Sequence, residues 1–391
     1  MLKNIDFDII ILILLFHITL IELSYLSFFN YLKYGIILVI GIYILVHIKL
    51  IFKKKFTFIN LLFGCYGISV IISSFFNRGI VERDTFLASL IYSAIILETL
   101  FTLEIILEKQ KITSLIKTFF ISMFVYVILN DVLFIVTPEL FKIIGGTYYL
   151  IGNKFHASYS HLILITLFLL QNNNKKIFNF KIKLILMFCV SFLIVSLMDC
   201  QTGIVGLVLL FVLILLSHKK SIVNRTNILV IFTLSFSFVF LYQFVTENVL
   251  VEFLLTNILD TSLTLTNRTT IYSKLLLIME NHYLLGYGYG SSYEYLIESI
   301  GAPNVQNGLF DIIFQSGIFA TFFFVLIIFF GTRKMNVVKN NRYLNCLFMV
   351  FVILSSIEII YKFKFFMILS LLIVLNIDNV IFNRNSNIRF H

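Results

Sequence analysis

The sequence predicts an all-α integral membrane protein with about twelve transmembrane helices and a long, partly helical external loop between spans nine and ten. Three observations predict it. Of 391 residues, 60% are hydrophobic and 13% charged, whereas roughly a quarter of the residues in a soluble chain are charged. The mean hydropathy is +1.00. Only two prolines and 17 glycines interrupt the apolar runs, which therefore remain free to form helices. Lipid must be the solvent for much of such a surface.

A spanning helix needs about 20 mostly apolar residues, and the runs fall at 9–27, 34–52, 57–76, 86–107, 113–136, 156–171, 182–198, 202–217, 226–246, 308–331, 343–360 and 365–383. The first is followed at once by another, without a small-residue cleavage site, so it reads as a membrane helix and not a removed signal peptide. The seventh and eighth are parted only by "DCQT" at 199–202, which leaves a re-entrant pair open there. Between the ninth and tenth runs lies a segment of about sixty residues, 247–307. Its pieces "VLVEFLLTNIL" and "TIYSKLLLIMENHYLLGYG" argue against disorder. Ile271, Leu275, Ile278 and Met279 recur at helical spacing, which predicts an amphipathic helix lying along the outer surface. The chain thus reads as one polytopic domain, 1–391, with 247–307 as a large inserted loop.

Lys and Arg orient the spans. With the N-terminus in the cytoplasm, only Lys33, Arg78, Arg83, Lys142, Lys154, Arg268, Lys274, Lys362 and Lys364 fall outside, and the other 21 of the 30 cationic residues fall inside. Both termini are then cytoplasmic and 247–307 is external. The net charge of +10 reflects this retention of loops, and no nucleic-acid partner is expected. Without Trp, the 19 tyrosines must supply any interfacial aromatic belt. Cys65, Cys189, Cys200 and Cys346 are scattered through or beside apolar runs without paired spacing, so neither a disulfide framework nor a metal site is expected.

Four stretches carry candidate chemistry. In "NRTTIYSKLLLIMENHYLLGYGYGS" Arg268 precedes a helix and a Gly-rich turn follows it. An arginine is a planar donor fork suited to phosphate, and such a turn lets backbone approach an anion. The plainer alternatives are an arginine reaching lipid headgroups and a turn that merely stops a helix. Lys274, His282, Tyr287 and Gly288 belong to the same stretch. In "YLIGNKFHASYSH", Asn153, Lys154 and His156 stand where an external loop meets span six. His156 and His161, five apart, do not share a helical face for a metal. In "VQNGLFDIIFQSGIF", Gln306 and Asn307 stand at a helix start and Asp311 one turn inside. Asn307 reads equally as an N-cap or a substrate contact. Acidic residues within spans raise a functional hypothesis, and Glu98, Asp131 and Glu358 join Asp311 there. In "SLMDCQTGIVGL", Asp199 and Gln201 occupy an external turn. No P-loop, dinucleotide fingerprint or nucleophile elbow occurs.

By "GNKFHASY", "QTGIVGL", "NRTTIYSKLLLIMENHYLLGYGYG" and "VQNGLFDIIFQSGI", in that order over roughly 57–331, the chain resembles the bacterial family of O-antigen ligases and O-antigen or capsular polysaccharide polymerases. The resemblance implies a metal-independent, cofactor-free GT-C-like glycosyltransferase at the outer face of the cytoplasmic membrane. Its partners would be undecaprenyl-diphosphate-linked oligosaccharides as donor and acceptor, membrane lipid, and other capsule or O-antigen assembly proteins. The family's loop arginine matches Arg268. Gln306-Asn307 stands where the family often has His-Asn, and Cys200-Gln201 where many members carry Ser-Arg, which leaves Lys154 as the candidate second cation. Polymerase is the first expectation, ligase the near alternative, and a flippase for the same lipid-linked units the more distant one. A diphosphate leaving group needs preorganised positive charge, and an acceptor hydroxyl needs a base. His282, His156 and Glu280 are all open as that base.

Overall fold

The structure, a computed structural model, describes residues 6–22, 27–51, 57–139, 148–172, 177–217, 222–246, 268–333, 335 and 341–388. They are helical almost throughout: α1 (Phe7–Leu20), α2 (Ser27–Val46), α3 (Ile48–Ile51), α4 (Thr57–Phe76), α5 (Thr85–Glu108), α6 (Ile112–Val136), α7 (Lys154–Gln171), α8 (Ile177–Leu197), α9 (Gln201–Leu216), α10 (Arg225–Thr246), α11 (Arg268–Ile278), α12 (Ser292–Ile300), α13 (Gly308–Gly331), α14 (Arg342–Leu354) and α15 (Phe363–Ile388). Among the described residues the only β-ladder is a two-residue antiparallel pair, Tyr148–Tyr149 with Gly152–Asn153. Five described helices, α2, α4, α5, α6 and α13, are long and apolar enough to cross a membrane, and five shorter apolar helices accompany them. Their outward faces carry large apolar side chains such as Leu38, Leu45, Leu129 and Val136. Water does not tolerate that much contiguous apolar surface, so this is an all-α protein made for lipid.

The helices begin where the sequence supplies caps. Asp84 accepts from Leu87 N, Asn153 from His156 N, and Asn307 from both Leu309 N and Phe310 N, each satisfying a backbone donor that the first turn leaves orphaned. Pro138 stands at the first residue of a new helical stretch and Pro303 lies between helices, positions where a missing N–H does least harm. At the centre α13 lies along α4, α4 along α5, and α5 along α15. Tyr66, Phe324 and Phe366 form their common core, with the Tyr66 and Phe366 rings stacked at 5.4 Å.

Four elements differ from the sequence reading. The first helix spans Phe7–Leu20, not 9–27: Asp6 caps it, and Ile21 turns extended so that Glu22 N can donate to Ile151 O. The second accordingly begins at Ser27 and not at 34. The eleventh apolar run is helical only to Leu354, because Ser355 and Ser356 turn their carbonyls to Gly308 N and to the Asn307 amide. Helix α11 also departs from expectation, since Ile271, Leu275 and Met279 are buried against Tyr287, Leu296 and Phe314 instead of lying on the membrane.

The Gly-rich turn has a structural task. Helix α13 is broken at Gly317 (φ 74°, ψ −177°), and the loop after α11 packs into the break. Ile318 N donates to Tyr283 O at 2.9 Å, Tyr287 N to Phe314 O at 2.8 Å, and the Ser73 hydroxyl to Leu285 O. A break in a spanning helix must have its freed backbone groups satisfied by other protein groups, and residues 283–290 do so.

Asn307 is committed on both sides. Its Oδ1 caps α13, while its amide donates to Ser235 O (3.0 Å) and Ser356 O (3.1 Å), tying three helices together with the side chain 1% exposed. Asn307→Ala is expected to cost about 1–3 kcal/mol by stranding buried groups, measured as a lower Tm in detergent. An unchanged Tm would rule out this tying role.

Candidate functional site

Where α1 ends and α2, α13 and α15 begin, the helices enclose a cavity of about 370 Å³, within the size range of small-molecule sites. Its wall is unusually cationic. Lys33 comes from α2, Arg83 from the α4–α5 connection, and Lys362 and Lys364 from the start of α15. Against these stand two carboxylates, Glu22 and Asp311, so the cavity carries an excess of two positive charges with His156 neutral. Tyr66, Tyr92, Tyr289 and Tyr361 supply a polar, aromatic lining. Tyr92 and Tyr289 stack at 4.1 Å, and the Tyr66 and Tyr92 hydroxyls lie 3.1 Å apart.

Each group is held by identifiable local structure. Tyr289 and Gly290 arrive on the loop that seals the α13 break: Tyr289 N donates to the Ser74 hydroxyl (2.8 Å) and Gly290 N to Gln315 Oε1 (2.7 Å). The Gln315 amide then donates to Asp311 Oδ2 at 2.7 Å. Arg83 N donates to Glu294 on α12 at 3.2 Å, and the Lys33 ammonium lies 4.5 Å over the Phe363 ring. Lys364 is buried, donating to His156 O (3.0 Å) and to the Ser160 hydroxyl (3.3 Å).

Glu22 and His156 form the closest acid–base pair in the cavity, Oε2 to Nε2 at 2.5 Å. Gly152 permits it. Its φ of 126° is open to glycine, and a Cβ there would stand 3.0 Å from the His156 Cβ and 3.1 Å from the Glu22 Cβ. Burial pushes the Glu22 carboxyl up, but His156, Lys362 and Lys364 outweigh it and hold the group below the usual carboxylate range. Burial raises the Tyr289 phenol, which is therefore a neutral donor.

Of the sequence-predicted residues, His156 lines this cavity. Asn153 caps its helix, and Tyr287 and Gly288 shape the loop that delivers Tyr289. His282 stacks on Tyr287 at 4.2 Å. Lys154 is half-buried and donates to Asp199 O at 2.8 Å. Asp199 holds a left-handed turn (φ 50°), and Gln201 is exposed at the start of α9. Lys274 is exposed on α11. Gln306 also has positive φ, and its carbonyl accepts from the Tyr272 hydroxyl. Arg268 opens α11, and its side chain lies outside the described residues.

Sequence reasoning passed over Glu22, Lys33, Arg83, Lys362 and Lys364. A signal for the four cations was present: all four are among the nine charges that run against the cytoplasmic bias. For Glu22 the signal was an acid inside an apolar run.

Fold and site together define a polytopic α-helical membrane protein with a cation-rich cavity. No family model, curated protein or solved structure matches the chain.

Proposed function

We propose that this protein is a membrane glycosyltransferase that polymerises undecaprenyl-diphosphate-linked repeat units for capsule or O-antigen, as a member of the ligase and polymerase family it resembles. The observation that carries the reading is the charge of the cavity. A diphosphate diester bears two negative charges, and four cations against two carboxylates leave an excess of two positive ones. Charge-assisted donors fixed around a leaving diphosphate favour its departure. Tyrosines on the same wall offer faces for sugar rings.

In this reading α1, α2, α4–α10 and α13–α15 are twelve spans, both termini are cytoplasmic, and the cavity opens at the outer leaflet beside the 247–307 loop. Arg268 is the loop cation that the resemblance assigns to the diphosphate. Tyr66 lines the cavity and packs against the buried Phe324 and Phe366, a packed wall that suits an enzyme better than a flippase, which needs a path to the other face.

Deleting the gene and analysing surface glycan tests the reading. Loss of long chains with single-unit glycan retained is the expected result. Carrier-linked long chains that never reach their acceptor would instead identify a ligase, and units stranded on the inner leaflet a flippase. An unchanged surface glycan would refute all three.

A further inference from the structure

Glu22 is held with more care than packing requires. It stands on a non-helical residue, and four separate devices direct it. Ile151 O takes its backbone N–H (3.2 Å), Gly152 clears the space beside it, Asn153 caps the helix that carries His156, and Lys364 grips the His156 carbonyl. His156 engages Oε2. The Glu22 side chain is 41% exposed and lines the cavity, so its carboxylate is reachable from it. Asp311, the other carboxylate of the wall, is 5% exposed; one oxygen is taken by Gln315 and the other is buried. Of the two, Glu22 alone can meet a hydroxyl group entering the cavity.

We propose that Glu22 is the proton acceptor of the glycosyl transfer and that His156 is a positioning residue that aims it, an assignment that rests on the glycosyltransferase reading above. The acceptor sugar's hydroxyl oxygen forms a bond to C1 of the donor sugar while the bond from C1 to the diphosphate oxygen breaks. The electron pair of the broken bond leaves with the diphosphate, beside Arg83, Lys362 and Lys364. The hydroxyl proton passes to Glu22 Oε1. No other reactant is needed.

The charges around Glu22 fix its protonation state. His156 faces it from α7, Lys362 and Lys364 from the start of α15, Lys33 from α2, and Arg83 and the Tyr289 phenol from the connections, with Asp311 across the cavity. The cations keep Glu22 ionised through the neutral range and make it a weak base, so it takes the proton only as the bond to C1 forms and the hydroxyl becomes acidic.

The test uses the full chain in nanodiscs, with undecaprenyl diphosphate as the binding probe and an undecaprenyl-diphosphate-linked oligosaccharide as substrate. Glu22→Gln should lower the transfer rate by about 10²–10⁴-fold while binding of undecaprenyl diphosphate is retained, and Glu22→Asp should restore part of the rate. His156→Gln removes a group that holds Glu22 low, so the acid limb of the rate–pH profile should move up, toward the ordinary carboxylate value near ~4.3. A Glu22→Gln chain with the wild-type rate overturns the assignment, as does one that loses probe binding together with transfer. Loss in Asp311→Asn but not in Glu22→Gln moves the base to Asp311 and also overturns it. A wild-type chain that binds no undecaprenyl diphosphate sinks the glycosyltransferase reading itself, and this assignment with it.

Discussion

On the proposed polymerase function, Lys364→Met is expected to abolish polymer while the protein reaches the membrane at its normal level. Methionine keeps the apolar stem that packs at this buried site, and the two acceptors that Lys364 serves have other partners. The Ser160 hydroxyl already donates to His156 O within α7. What is lost is a cation fixed in a poorly solvated wall, where charge acts more strongly than in water. Removing one preorganised donor from such a site costs on the order of 10²–10³-fold in rate. Lys362 is exposed and better screened, so Lys362→Met should cost less. Polymer ladders from cells carrying each variant, with blots of membrane fractions, read the result. A normal-length ladder from Lys364→Met would remove this lysine from the site.

Gly317→Ala disassembles one wall of the cavity. The backbone at Gly317 occupies a region open essentially to glycine alone, and a side chain forced there costs about 1–3 kcal/mol. A Cβ at this position would sit 2.1 Å from Leu284 O and 2.4 Å from its carbonyl carbon. These are backbone atoms that cannot rotate away, and overpacking adds about 1–3 kcal/mol more. The loop 283–290 must lift off α13, carrying Tyr289 and Gly290 out of the cavity and breaking their bonds to Ser74 and Gln315. Both a lower Tm and weaker undecaprenyl diphosphate binding are expected in the purified variant. A Gly317→Ala protein with the wild-type Tm would show that the loop and helix are not coupled in this way.

Much of the helical framework was legible in the sequence. A helix in lipid satisfies its own backbone, so an apolar run of sufficient length announces it, and the bounds of α4, α5, α6 and α13 match the runs to within a residue or so. Helix ends followed where Asp84, Asn153 and Asn307 supplied caps. The start of the chain was harder to read, because Glu22 sits in a run whose hydropathy favours continuing the helix. Only its tertiary partners, Ile151 and His156, explain why the helix stops at Leu20. "GYGYG" announced a turn, but nothing local shows that the turn fills a break thirty residues away in α13.

The candidate site was far less legible, and the reason is distance along the chain. Glu22, Lys33, Arg83, His156, Lys362 and Lys364 share no motif, no helix face and no spacing, and they meet only when α1, α2, α5, α7 and α15 pack. His156 was found because its stretch is polar, and Asp311 because an acid inside a span is costly. The four lysine and arginine side chains looked like ordinary minority charges of external loops. Composition and periodicity by themselves determined that this is an all-α chain built for lipid, since both are properties of neighbouring residues and of the solvent they require. Which rare charges share one cavity was decided by tertiary structure alone, since electrostatic and hydrogen-bond partners are chosen in space and their sequence separation leaves no local trace.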